Sequence, residues 1–150
     1  MDTARIEAAG IKPPQAEMTL IDGIKDRASF IKALAHLHVR GSRPLFSFGS
    51  TLDFKDSTRV IAEAVQGGLG MPNRDYYTKD DATSTVLRAA YVKHVAKVFK
   101  LGGDTMAAAA TKAQIVMEIE TTLAKASMSK SQKRDPNPIS NRKAGAGLGG

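Results

Sequence analysis

The run Gln66-Gly67-Gly68-Leu69-Gly70-Met71-Pro72-Asn73-Arg74-Asp75-Tyr76-Tyr77 constrains the fold of this chain more than any other stretch. Glycine permits positive φ and close approach of one backbone segment to another, and Pro72 fixes one turn angle. Asn73 and Asp75 can accept hydrogen bonds from nearby backbone amides. A segment so dense in conformationally special residues turns the chain sharply and holds it there. The residues Gly67, Gly68, Gly70, Pro72, Arg74, Asp75, Tyr76 and Tyr77 therefore read as a structural turn. In this reading the tyrosine rings pack inward, and their hydroxyls or an Arg74–Asp75 pair satisfy the turn backbone. Direct contact of the same residues with a substrate is the alternative.

Helical and alternating patterns flank this turn. Residues 2–9 have helical composition and end at Gly10, with Pro13-Pro14 preventing continuation. A short helix follows from Glu17, on the spacing of Leu20, Ile21 and Ile24. Asp26 is placed to cap a third helix in which Phe30, Ile31, Leu34, Leu37 and His38 share a face, ended by Gly41 and Pro44. Between Leu45 and Gln66 the period shortens to two. Phe46 and Phe48 oppose Ser47, and Val60, Ala62 and Ala64 oppose Ile61, Glu63 and Val65, with Lys55-Asp56-Ser57 as a polar turn. That pattern predicts a β-hairpin, with a helix over 57–66 as the competitor because Ser57, Thr58 and Glu63 also suit one.

After the turn two long helices are expected. Leu87, Tyr91, Val95 and Val98 stripe the first, from about Ala82 to Leu101, and Gly102-Gly103 ends it. Asp104 is expected to cap the second, where Met106, Ala109, Ala113, Val116, Met117, Leu123 and Ala124 recur at helical spacing. So short a link forces an antiparallel pair, and the small alanines let the axes approach closely. The fold class is mainly α, with one β-hairpin and a long antiparallel helix pair. Beyond Ser127 the apolar period vanishes. The glycine-alanine run from Lys143 to Gly150 is low in complexity.

Composition narrows the possible functions. An apolar fraction of 42% excludes disorder throughout, but only 5% is aromatic and there is no tryptophan, so the core must be thin and aliphatic. The absence of cysteine removes disulfides and thiolate chemistry. The net charge of +7 raises nucleic acid as a partner. Its excess sits in Lys125, Lys130, Lys133, Arg134, Arg142 and Lys143 without interleaved aromatics to stack on bases, which argues against that partner. No stretch approaches the roughly twenty apolar residues of a membrane span, and no signal-peptide layout opens the chain.

Chemistry-bearing groups are sparse. On a helix, His36 and His38 diverge around the axis, so one ion cannot readily meet both rings, and His94 beside Lys93 and Lys97 reads as surface. Gly67-Gly68-Leu69-Gly70 matches neither phosphate-loop nor dinucleotide-loop spacing. Glu118 and Glu120 lie two apart and face different ways, poor geometry for paired-carboxylate catalysis. Glu120 falls close to the apolar stripe and reads as a buried acid paired with a base such as Arg134. No catalytic residue and no metal ligand is assigned.

The glycine-rich run closely resembles the G-L-G-L-P-x-R-D-Y-Y pattern of the neprilysin-like zinc metalloendopeptidases, with Met71 for the usual leucine and Asn73 for the usual aspartate. The likeness extends through Phe46-Ser47-Phe48-Gly49-Ser50, Asp53-Phe54-Lys55-Asp56-Ser57, Tyr91-Val92-Lys93-His94-Val95, Glu118 to Ala124 and Lys133-Arg134-Asp135-Pro136. It implies part of the N-terminal cap domain over 1–136 and favours the hairpin over a helix at 57–66. Met1 then resembles an internal methionine of a family helix, and the chain a piece of a larger protein. The likeness is expected to end at Pro136, with 137–150 a flexible tail of the kind a frameshift would leave.

In that family the cap and a zinc domain enclose a chamber for peptide substrates, and cleavage falls on the amino side of hydrophobic residues. Zinc is held by H-E-x-x-H with a downstream E-x-x-x-D. Neither motif occurs in this sequence. The resemblance thus implies no cofactor in this chain, zinc in the complete parent, and as partner the missing catalytic domain. Full-length bacterial relatives are often exported, so the compartment stays open. A stand-alone helical module binding a protein or polyanionic partner is the rival reading.

Overall fold

Capping chemistry sets the helix boundaries in the computed structural model of the chain, which describes Thr3, Glu7, Ala8, Gly10 and residues 14–53 and 55–134. The helix expected over 2–9 and the tail expected over 137–150 fall largely or wholly outside these residues. Helix α1 spans Gln15–Asp22 and packs on α2, Arg27–Val39. Asp26 caps α2 as its pattern predicted: its carboxylate accepts from the Ser29 amide at 2.7 Å, while the Ser29 hydroxyl accepts from the Asp26 amide at 3.0 Å. The apolar face expected on α2 is covered only in part, with Leu34, Leu37 and His38 half-buried. Phe30 is 41% and Ile31 52% exposed, and only Ala33 is buried.

Strands β1 (Phe46–Asp53) and β2 (Asp56–Gln66) form an antiparallel hairpin, so the helix considered over 57–66 is not adopted. The pairing starts at Phe46 opposite Gln66 and runs to Leu52 opposite Val60, with an irregularity between Leu52 and Asp53. This register puts Phe46, Phe48, Ser50 and Leu52 on one face with Val60, Ala62, Ala64 and Gln66. The base of the hairpin is anchored. The His38 and Phe46 rings lie 4.8 Å apart, and the Gln66 side chain bonds both the amide (2.8 Å) and the carbonyl (3.3 Å) of Met128.

Helix α3 is the single turn Asp75–Thr78, α4 spans Ala82–Leu101 and α5 spans Met106–Ala126, with a 3₁₀ turn at Gln132–Arg134. The long helices pack against each other, and α3 wedges onto both. Ala109 and Ala113 on α5 are 1% and 0% exposed. Two expectations need correction. Thr105, not Asp104, caps α5, accepting from the Ala108 amide, because Asp104 is engaged with Lys112 at 2.8 Å. The stripe read on α5 is buried or half-buried at every residue but Met106, while that on α4 holds at Tyr91 and Val95 and fails at its two ends. On α4, Leu87 and Val98 are exposed while Ser84 is buried and Arg88, Val92, Val95, Ala96 and Phe99 are half-buried; on α5, Met106 is 70% exposed. Arg88 is turned towards α3 by its bonds to the Tyr76 and Lys79 carbonyls, and Ser84 is held by the Asp81 carboxylate that caps α4, neither of which hydrophobicity signals.

Candidate functional site

The glycine-rich turn, α3 and the facing sides of α4 and α5 meet in one cluster. Met71, Tyr77 and Ala124 are buried there, with Leu69, Tyr76, Tyr91 and Met117 packed around them. A carboxylate lies at its polar edge. Glu120 accepts from the Gly70 amide at 3.2 Å and the Tyr77 hydroxyl at 2.5 Å with one oxygen, and from the Tyr91 hydroxyl at 2.9 Å with the other. The Tyr77 oxygen in turn accepts from the Met71 amide at 2.8 Å. Glu120 is thus the hub, and its partners are two phenols and an amide, not the arginine at 134 that the sequence suggested. Burial, reinforced by the bond to Glu120, pushes the Tyr77 hydroxyl well above the ordinary phenol range. The same causes push Tyr91 up to about 12.

The remaining turn residues divide by task. Gly68 adopts φ +75°, and a Cβ there would lie 2.5 Å from the Leu45 Cα, so both backbone angle and space demand glycine. Gly70 is not at positive φ; a Cβ on it would collide with the Tyr91 hydroxyl. A Cβ at Gly67 would meet the Phe46 backbone at ordinary contact distance, and Pro72 is exposed. Asn73 accepts from the Asp75 amide at 2.9 Å and opens α3. The anticipated Arg74–Asp75 pair is absent among the described ion pairs: the Asp75 carboxylate reaches Lys79, one helical turn on, at 3.3 Å. Arg88 on α4 locks α3 from outside, donating to the carbonyls of Tyr76 (3.1 Å) and Lys79 (2.6 Å).

Sequence reasoning missed Arg88 and also Leu45. Leu45 takes φ +68° in a tight turn closed by the Phe46 amide on the Pro44 carbonyl at 2.8 Å. The only available sign was Pro44 before an alternating run, because nothing in a leucine announces a left-handed backbone.

Chemically this arrangement is saturated. Both oxygens of Glu120 are occupied, and Glu118 is exposed on another face. Among the described residues no group of three His, Cys, Asp or Glu side chains could hold a metal ion. His36 and His94 are exposed; His38 is half-buried, with its ring against Phe46. These residues do not fit a zinc site.

Comparison with known proteins gives one consistent result. The chain matches peptidase family M13 over residues 1–148, so the family likeness continues past Pro136, where the sequence reading ended it. It is 31% identical to endothelin-converting enzyme 1 of Cavia porcellus over 157 residues, covering 99% of this chain, and 29% identical to the Homo sapiens enzyme over 156. The crystal structure of the Mycobacterium tuberculosis zinc metalloprotease Zmp1 in complex with inhibitor superposes with a TM-score of 0.80 at 32% identity, covering 87% of this chain and 20% of that one. The chain spans 20% of the length of the two endothelin-converting enzymes as well.

Proposed function

The chain belongs to peptidase family M13 as part of its N-terminal domain, and from that premise we propose that it helps enclose the chamber in which a zinc-bearing remainder of the protein cleaves peptides. The observation that carries this reading is the correspondence of 87% of the chain with one fifth of a zinc metalloprotease at a TM-score of 0.80. A segment that shares the fold over that stretch occupies the same place in the larger molecule. Its chemistry suits a wall. The turn cluster closes its own hydrogen bonds around Glu120, and the histidines here are unsuited to zinc. Gly67, Gly68, Gly70, Pro72, Arg74, Asp75, Tyr76 and Tyr77 then serve as the turn that orients the hairpin relative to the helix pair. The hydrolytic step, with its zinc and its peptide substrate, belongs to the rest of the polypeptide.

A segment exchange tests this. The 150-residue chain replaces its counterpart in full-length Zmp1, and hydrolysis of a hydrophobic peptide is followed with and without chelator. The hybrid is expected to load zinc and to cleave, while the isolated chain does neither. A folded, zinc-loaded hybrid without activity, or chelator-sensitive cleavage by the isolated chain, overturns the proposal.

A further inference from the structure

Beside the turn cluster, the backbone from Gln66 to Arg74 and the chain leaving α5 frame a cleft of about 190 Å³. Its charged lining is of one sign. Arg74 stands on one wall, Lys130 and Lys133 on the other, and among the described residues no Asp or Glu lines the space. The ion pairs among the described residues, Glu17–Arg40, Asp75–Lys79 and Asp104–Lys112, use none of these three cations. Arg74 is half-buried, which holds its guanidinium in the wall of the cleft.

We propose that this cleft is an oxyanion site that takes a phosphate group between Arg74 and the two lysines. The planar fork of Arg74 suits paired oxygens, while Lys130 and Lys133 act as point charges that adapt to the rest of the group. Gly67 and Gly68 contribute no side chains to fill the space. No aromatic ring lines it, so recognition rests on the phosphate and not on a stacked base. The site stands apart from the Glu120 hub and does not depend on the peptidase reading.

Calorimetric titration of inorganic phosphate into the 150-residue chain, at ionic strength held constant with chloride, tests the site. Saturable one-to-one binding is expected. Lys130→Gln combined with Lys133→Gln should weaken it roughly tenfold or more, the worth of a charge-assisted hydrogen bond, with the phosphate-free melt unchanged. Lys93→Gln with Lys97→Gln, exposed on α4, should leave the affinity as it was. Glycerol 3-phosphate binding as tightly as inorganic phosphate identifies an esterified phosphate as the ligand; binding of inorganic phosphate alone identifies the free anion. Absence of saturable heat, equal binding by the Lys130/Lys133 variant, or an equal loss in the Lys93/Lys97 variant overturns the proposal.

Discussion

The glycine-rich turn and the hairpin that feeds it are neighbours in the chain and treat their side chains in opposite ways. In the turn, Met71 is 7% and Tyr77 5% exposed, and the amides of Gly70 and Met71 find partners in Glu120 and Tyr77. In the hairpin the backbone ladder is regular from Phe46 to Leu52, yet Phe48 is 64%, Leu52 57% and Val60 69% exposed on one face. Hydrogen bonding and apolar burial are therefore settled separately here. A two-stranded ladder satisfies its backbone from within, but burying a face requires a second layer. The turn has that layer in α3, α4 and α5. Under the proposed function, the hairpin face obtains it from the remainder of the polypeptide.

The sharpest way to break this contrast compares two glycines. Gly68→Val should cost on the order of 3 kcal/mol, because a β-branched residue at positive φ adds strain to the forced displacement of Leu45. Gly49 in β1 has nothing within 4 Å of an added Cβ. Gly49→Val should stay within about 0.5 kcal/mol of the parent. Urea unfolding of the two variants decides, and losses of similar size from both would erase the distinction between a packed turn and an open strand.

A second comparison removes the hub. Glu120→Ala leaves the Tyr77 hydroxyl, the Tyr91 hydroxyl and the Gly70 amide without their acceptor, at a cost of about 2 kcal/mol. The exposed neighbour Glu118 should tolerate alanine within about 0.5 kcal/mol. Equal denaturation midpoints for the two variants would show that the hydrogen bonds around Glu120 contribute nothing net.

Glu120 also marks the boundary of what was legible in the sequence. Elements defined by local chemistry were readable: the Asp26 cap, the period-two run of the hairpin, the Gly102 stop of α4 and the turn itself. What depended on a distant partner was not. The sequence placed Glu120 near the apolar stripe but could not say that Tyr77 and Tyr91, 43 and 29 residues away, would claim its oxygens. The stripe of α5 was read correctly apart from Met106, whereas on α4 Tyr91 and Val95 were placed correctly and Leu87 and Val98 were not. Leu87 and Ser84 are one turn apart, and it is the serine, bonded to the Asp81 cap, that is buried. Family resemblance recovered the hairpin because it supplies long-range information that periodicity lacks.

The pH dependence sharpens the contrast further, with a smaller effect. Tyr77 and Tyr91 keep their protons in the folded chain above the ordinary phenol value of 10.0. An unfolded chain loses them first, so their contribution is complete below pH 10.0 and declines as pH rises towards about 12. Tyr77→Phe and Tyr91→Phe together should flatten that alkaline decline. Hairpin variants should leave it unchanged. If the double phenylalanine variant loses stability with pH as steeply as the parent, the two phenols are not the groups responsible.

The smallest expected effect on stability comes from the hairpin face itself. Phe48→Thr with Val60→Thr keeps strand-forming residues at two positions whose side chains already meet water, so the melt should move by less than about 0.5 kcal/mol. The same change removes the centre of an apolar surface whose exposure favours contact with dyes or other chains. Binding of a hydrophobic dye and concentration-dependent association should therefore fall while the melt holds. A melt lowered as far as that of Glu120→Ala would mean that the hairpin face is packed within this chain. A melt and dye signal both unchanged would mean that Phe48 and Val60 are not where the chain seeks cover, and would shift that role to another exposed apolar pair such as Phe30 and Ile31 on α2.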